Sequence, residues 1–508
     1  MKRPLKFAPL LLAPLILSSC STFLGLLPDP PPPDLGELRG LWVDAFGSGI
    51  KTPAEIDQLV ADAKKMNVNV LFAQIGRRGD CYCNKASMPR TDDPAVPAGF
   101  DPLADLITKA HAQGIQVHAW IITTAIWNST TPPKDPAHAF NAHGLNAAGR
   151  DNWLMVKNDG TTRGGADWLL DPGHPDAAEY IKNMYVSVAK NYDVDGVQFD
   201  RVRYPDYNPV GGPNGWGYNA TALERYRAET GAVGTPAPDD LQWTAWRRQQ
   251  ITNLVRETAL AVKAVKPDVS INAATITYGA APTDDAGFEL MRPYTEVLQD
   301  WRTWVKEGYL DINVMMNYKR DFVADQAAWF DGWNSYAHGL RYRGIHTAEV
   351  SGAAIYLNDQ ASSVSQVRKT FASGLDGWAG YSYRTPDKDV NAGTRTQADV
   401  FPELAAKLTA VGAPFERAAS WSRPDTTYFR AISGKISVGS GALGYRTVRL
   451  LDPESGKELA RTMTDGFGRY GFMHIGNYPV KVEVGGVSTA SLTLETGKVT
   501  TVPDLALP

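Results

Sequence analysis

Cysteine is almost missing from this 508-residue chain, which has three, at positions 20, 81 and 83. A lone Cys-x-Cys without a second ligand pair excludes the usual closed zinc site. The eight histidines are scattered, which speaks against a metal-dependent deacetylase, so neither metal nor cofactor is expected. Cys81 and Cys83 either form a small disulfide after a strand or stay reduced and pack, a structural role in both cases. Basic runs are absent too, and the formal net charge is −4, which argues against nucleic acid as a partner. Beyond the first twenty residues no segment is long and apolar enough to span a bilayer.

Those first residues carry the clearest address. Lys2, Arg3 and Lys6 precede a short apolar stretch, Leu10 to Leu17, and the run closes in Leu17-Ser-Ser-Cys20. This resembles a bacterial lipoprotein processing site, which implies a signal peptide over 1–20 and a lipid on Cys20. Residues 21–36 form a Pro-rich linker whose Pro28-Asp-Pro-Pro-Pro-Pro33 run is a stiff spacer. The expected protein is exported and tethered to a membrane of the bacterial cell envelope.

From Arg39 onward buried strands alternate with amphipathic helices. Strands are predicted at Gly40–Phe46, Asn69–Ile75, Ile115–Ile121 and Val194–Phe199, then at Val269–Thr275, Asp311–Tyr318, Gly352–Leu357 and Gly377–Tyr383. Helices fall between them, including 53–65, 103–113, 176–191, 241–265, 293–307 and 363–373. Eight strand–helix units point to a (β/α)₈ TIM barrel over residues 37–422. An open doubly wound sheet is the alternative, but Phe46-Gly-Ser-Gly-Ile50 is a poor version of its glycine-rich turn. An irregular insertion, 123–172, is long enough to suggest a functional loop. From Thr427 to Pro508 the pattern changes to a period of two with turns such as Asp465-Gly466, which predicts a small all-β sandwich domain.

Within the barrel, Tyr192-Asp-Val-Asp-Gly-Val-Gln-Phe-Asp-Arg-Val-Arg-Tyr-Pro205 is the most informative run. It reads as a buried strand delivering Asp200 and Arg201 to its carboxyl end, where such barrels build their sites. With 14 Trp and 10% aromatics overall, exposed rings in a cleft would grip sugars.

Several motifs, taken in order, make the barrel resemble the glycosyl-hydrolase-like family 10 proteins. They are Glu37-Leu-Arg-Gly-Leu-Trp-Val43, Phe72-Ala-Gln-Ile-Gly-Arg-Arg-Gly-Asp80, Phe100-Asp-Pro-Leu-Ala104 and Val117-His-Ala-Trp120. Leu170-Asp-Pro-Gly-His-Pro175, Asp195-Gly-Val-Gln-Phe-Asp200 with Tyr204-Pro205, and Trp246-Arg-Arg248 complete the set. The resemblance implies an exported barrel acting on a polysaccharide. Two adjacent Asp residues usually end the family's fourth strand, and Arg201 stands at the second position here. The tail, with Gly434-Lys-Ile and Thr464-Asp-Gly-Phe-Gly-Arg-Tyr470, resembles carboxypeptidase-regulatory-like, transthyretin-type modules, which implies an accessory role.

Glycosidic hydrolysis takes two carboxyl groups, one donating a proton and one attacking or activating water. Asp200 is the first candidate, with Arg201 and Arg203 near enough to favour its ionised form. Asp80 ranks second, against the plainer reading of a turn-former in Arg78-Gly79-Asp80. Later candidates are Asp44, whose side of the strand is open at this point, and Asp321 and Asp359. His118 and Trp120 share one face of the third strand; a strand histidine is more often a hydrogen-bonded core residue, but near a mouth it bonds sugar hydroxyls. Asp44, Arg77, Tyr204, Asn317 and Tyr318 join them as substrate-binding candidates, and Trp120, Trp127, Tyr204, Trp216 and Tyr318 as stacking surfaces. Trp246, inside a long outer helix, reads as packing. The rival reading is a non-catalytic glycan-binding or envelope-scaffold lipoprotein that kept the barrel and lost its second acid, which Arg201 favours.

Overall fold

The computed structural model describes residues 35–208, 212–340 and 347–508; Cys20, the signal segment and most of the linker lie outside the described residues. Eight parallel strands close on themselves in chain order: β1 (Leu38–Val43), β2 (Val70–Gly76), β3 (Gln116–Ile122), β4 (Gly196–Asp200), β5 (Ser270–Ile276), β6 (Ile312–Met316), β7 (Ala348–Ala354) and β8 (Gly377–Tyr381). Because β1 pairs with both β2 and β8, the sheet is a closed (β/α)₈ barrel and the doubly wound alternative is excluded. Local chemistry starts and stops the elements. Thr52 caps the helix Pro53–Lys65 by accepting from the Glu55 amide, and Ile56, Leu59, Val60 and Ala63 form its buried stripe.

The barrel interior is a packed core. Trp42, Phe72, Trp120, Ile312, Val314 and Val350 fill it, and Trp42 Nε1 donates across it to Gln198 Oε1 at 2.7 Å. Two expected elements are placed differently. β7 begins four residues before the predicted Gly352, and Ile355–Leu357 is a 3₁₀ turn. Polar Glu349 and Ser351 hid this strand, yet both are buried with partners: Asn313 Nδ2 donates to Glu349 at 2.8 Å and Ser351 Oγ to Asn334 at 2.8 Å. The single helix expected over 293–307 is two short ones, Arg292–Thr295 and Trp301–Lys306. Leu298 interrupts it at φ +56°, and Gln299 turns inward to accept from the Ile276 amide at the end of β5 at 2.8 Å.

The insertion after β3 is not wholly irregular. It holds a three-stranded sheet of Ala125–Trp127, Asp167–Leu169 and Arg163–Gly164. Cys81 and Cys83 are joined by a disulfide and are buried. A second core of its own, with Ile432, Val448, Tyr470 and Val482, lies between two small β-sheets at the carboxyl end of the chain. No helix of the described residues is long and apolar enough to cross a membrane.

Candidate active site

β4 ends in Asp200, half-buried at the barrel mouth. The next residue, Arg201, adopts φ +54°, a left-handed conformation that costs an arginine on the order of 1 kcal/mol. Several bonds hold it there. Its amide donates to Asp200 Oδ1 at 2.7 Å, its carbonyl accepts from Thr124 Oγ1 at 3.0 Å, and its guanidinium reaches Asp167 at 2.6 Å. The turn directs the Asp200 carboxylate into the mouth, where Trp120 Nε1 donates to Oδ2 at 3.0 Å. Neither arginine expected beside Asp200 is ion-paired to it: Arg201 is spent on Asp167, and Arg203 faces Asp206 at 3.6 Å.

Aromatic rings form the wall around this carboxylate. Tyr318, Tyr356 and Tyr381, from the ends of β6, β7 and β8, stand with ring centroids 5.5–6.1 Å apart. Trp42 packs on Tyr318 and Tyr381, and Trp120 on Tyr381. Burial pushes the Tyr318 and Tyr381 hydroxyls well above the ordinary phenol range, and the Asp200 charge adds to the effect. They therefore stay protonated, as donors suited to oxygen-rich ligands. In the sequence Tyr356 and Tyr381 lie inside strand-like runs; an aromatic at the carboxyl end of each of three consecutive strands is the signal that finds them.

The other expected residues are spread more widely. Asp44 is buried just beyond β1, held by Arg384 Nε at 3.0 and 3.1 Å and by Ser382 Oγ at 3.2 Å, and its charge is felt by Tyr381. Asp80 accepts from the Arg78 amide at 3.1 Å, and Arg77 lies 4.0 Å away. No hydrogen bond, ion pair or ring contact among the described residues links Asp80 to Asp200. His118 has no exposed surface and sits a layer below Trp120; Asn272 lies 3.0 Å from one ring nitrogen and Gln116 3.2 Å from the other. Tyr204 and Trp216 are sealed into the wall rather than offered as stacking faces, Tyr204 with its hydroxyl 3.5 Å from Asp171. Asn317 is likewise buried, tying β6 to the following helix through Phe330 and Asn334. Asp321 pairs with Lys369 at 2.8 Å, and Asp359 caps the helix Gln360–Ala372. Trp246 is fully buried against Trp243.

Among the described residues no group of three or more His, Cys, Asp or Glu side chains converges to hold a metal ion. What the mouth presents is the Asp200 carboxylate among tyrosine hydroxyls and indole faces. The sequence profile described as glycosyl hydrolase-like 10 matches residues 37–338. The chain belongs to that family. The match spans β1 to β6, so Asp200, Trp42, Trp120 and Tyr318 fall within the glycosyl hydrolase-like 10 segment, while Tyr356 and Tyr381 lie beyond it. The chain is 26% identical over 304 residues to the glycosyl hydrolase DigH of Escherichia coli K12, covering 55% of this chain and 58% of that one. It is also 26% identical over 327 residues to the glycosyl hydrolase YngK of Bacillus subtilis, covering 60% and 56%. The match thus spans a little over half the length of these curated relatives. Among solved structures, the glycoside hydrolase domain of PgaB (BpsB) from Bordetella bronchiseptica is 16% identical, covering 73% of this chain and 99% of that one, with a TM-score of 0.49.

Proposed function

We propose that this protein is an exported, lipid-anchored glycoside hydrolase acting on a polysaccharide, with a cell-envelope glycan as the substrate its anchor keeps within reach. One observation carries the reading: an Asp200 carboxylate at the end of β4, fixed by Trp120 and ringed by Tyr318, Tyr356 and Tyr381. In this reading Asp200 is the nucleophile or base, and Trp120 and Tyr318 hold the sugar. Asp80, on the loop after β2 with Arg77 4.0 Å away, is the proposed second carboxyl.

The test is product release from purified glycan strands. Asp200→Asn keeps the shape and removes the charge, so turnover falls about 10²–10⁴-fold if the group is a general base, and further if it is the covalent nucleophile. Thermal melting stays near wild type, and unchanged turnover removes Asp200 from the mechanism. A second reading, a glycan-binding protein without turnover, is favoured by Arg201 in place of a second Asp. Tight glycan binding by wild type with no product from any glycan supports it.

A further inference from the structure

Beside the Asp200 site lies an open cavity of about 400 Å³ under the loops that follow β1, β2 and β3, within the size range of small-molecule sites. Phe46, Arg77, Arg78, Asp92, Trp127 and Lys134 are among the residues lining it. Its aromatic faces come from Phe46, 51% exposed, and from Trp127. Its charge is unevenly met. Arg78 Nε binds Asp167 Oδ1 at 3.0 Å while Arg201 binds Oδ2 of the same carboxylate at 2.6 Å, so two guanidinium groups share one buried anion. Arg78 spends Nη1 on the Arg77 carbonyl at 2.9 Å, and its Nη2 has no hydrogen-bond partner among the described residues. Arg77 lies 3.7 Å from Asp93 and 4.0 Å from Asp80, too far for a hydrogen bond, with its guanidinium over the Tyr82 and Phe46 rings. Asp93 already serves Lys51 at 3.1 Å and the Tyr82 hydroxyl at 2.8 Å. Arg78 Nη2 and the Arg77 guanidinium, only loosely ion-paired to Asp93 and Asp80, are therefore left to meet an oxyanion beside two rings fit to pack on a sugar, while the Asp92 carboxylate in the same lining is met by Lys134 at 3.8 Å.

We propose that this cavity is a glycan subsite for a carboxylate-bearing sugar, with Arg77 and Arg78 receiving the carboxylate and Phe46 and Trp127 packing on the ring. It rests on the reading of the Asp200 mouth as a glycan site and adds to it the charge class of the substrate. Proximity supports the assignment, because Arg201, which shares Asp167 with Arg78, directly follows Asp200. Arg78, anchored by Asp167 and the Arg77 carbonyl, offers Nη2 as one fixed donor and Arg77 supplies the second, so the pair meets a carboxylate at two points.

Titration calorimetry on the full chain, with and without Asp200→Asn, tests it. The probes are oligogalacturonides, alginate oligosaccharides and hyaluronan oligosaccharides, each in native and carboxyl-reduced form. At least one native probe is expected to bind tenfold or more tighter than its reduced partner, and the gap closes as salt is raised. Arg77→Gln, on a partly exposed side chain, erases most of that gap. Arg78→Lys keeps the charge and loses the anchored Nη2 donor, and it also narrows the gap; Lys134→Gln, 79% exposed, is the variant safest for folding and weakens native probes alone. No preference for any native form, or a preference that survives in Arg77→Gln, overturns the proposal. Turnover of neutral glycans without carboxylate preference leaves the hydrolase reading standing and removes this one. Carboxylate-selective binding without turnover does the reverse.

Discussion

His118 and Asp171 are both fully buried and answer pH in opposite senses. Burial lowers the His118 imidazole from 6.5 to about 4, so the unfolded chain holds the proton more tightly than the fold does. At pH 7 this costs nothing; the penalty builds as pH falls below 6.5 and is complete below 4, reaching about 3 kcal/mol. Burial raises the Asp171 carboxyl to about 6. Its contribution is present below the ordinary carboxyl value and is lost as pH rises through 6. Replacing His118 by Gln preserves neutral hydrogen bonding to Asn272 and removes the titration. Melting curves at pH 7 and pH 4.5 are expected to separate less in His118→Gln than in wild type, and an equal separation dismisses this account of His118. The residue scale was also where the sequence was least legible. Asp200 and Tyr318 were readable from their place after strands, but Asp167, buried and bonded to both Arg78 and Arg201, sits in an insertion with no motif to mark it.

Barrel strands are pinned at their amino-terminal ends by a repeated device. The residue just before each even strand accepts from an amide of the preceding odd strand: Asn69 from Arg39, Asp195 from Val117, Asp311 from Ile271 and Asp376 from Glu349, all at 2.7–2.8 Å. Each bond satisfies a buried amide where the ladder begins and fixes the stagger of neighbouring strands. Asp195 also takes Arg423 at 2.8 Å and His111 at 2.7 Å. Thus the two Asp residues of the Asp195–Asp200 run do different work at opposite ends of β4. Asp195→Ala strands the Val117 amide and leaves Arg423 to Asp268 at 2.7 Å and Asp193 at 3.4 Å, and is expected to lower stability by about 1–3 kcal/mol. Denaturant melting reads the loss, while turnover per folded molecule is unchanged; lost turnover at full stability would refute the division of labour. This device was invisible in sequence because an Asp or Asn before a strand also reads as an ordinary loop residue.

The carboxyl-terminal sheets meet the barrel through apolar and polar contacts, with Phe429, Ala431 and Met473 packed into the large core around the barrel. Arg256, fully buried on the helix Leu241–Val265, donates to Thr462 Oγ1 at 2.6 Å and to the Met463 carbonyl at 2.7 Å, and Arg469 reaches back to Glu179 at 2.5 Å. Residues 427–508 have their own core and are expected to melt cooperatively when made alone; an unfolded segment from an otherwise stable chain refutes the boundary. A chain ending at 426 exposes Arg256 and Leu260 and is expected to melt several degrees lower than the whole, read by scanning calorimetry. For the molecule in its compartment, Cys20→Ala is expected to leave an unprocessed precursor, read by fractionation and mass spectrometry. Normal processing with membrane retention removes the lipoprotein proposal.

Sequence alone determined the eightfold alternation, the change of period near Thr427 and the placing of Asp200 at a strand end. Those features are local: they follow from side-chain periodicity and the residues that start and stop each element. Tertiary structure decided which side chains share the mouth. Barrel closure sets β8 beside β1 and brings Tyr381 against Trp42 across more than three hundred residues of chain. It also sinks His118 and Tyr204 out of reach and gives Arg201 to Asp167 rather than Asp200. Such pairings depend on strand register and on the hydrogen-bond partners a buried polar group must find, and no periodicity along the chain encodes either.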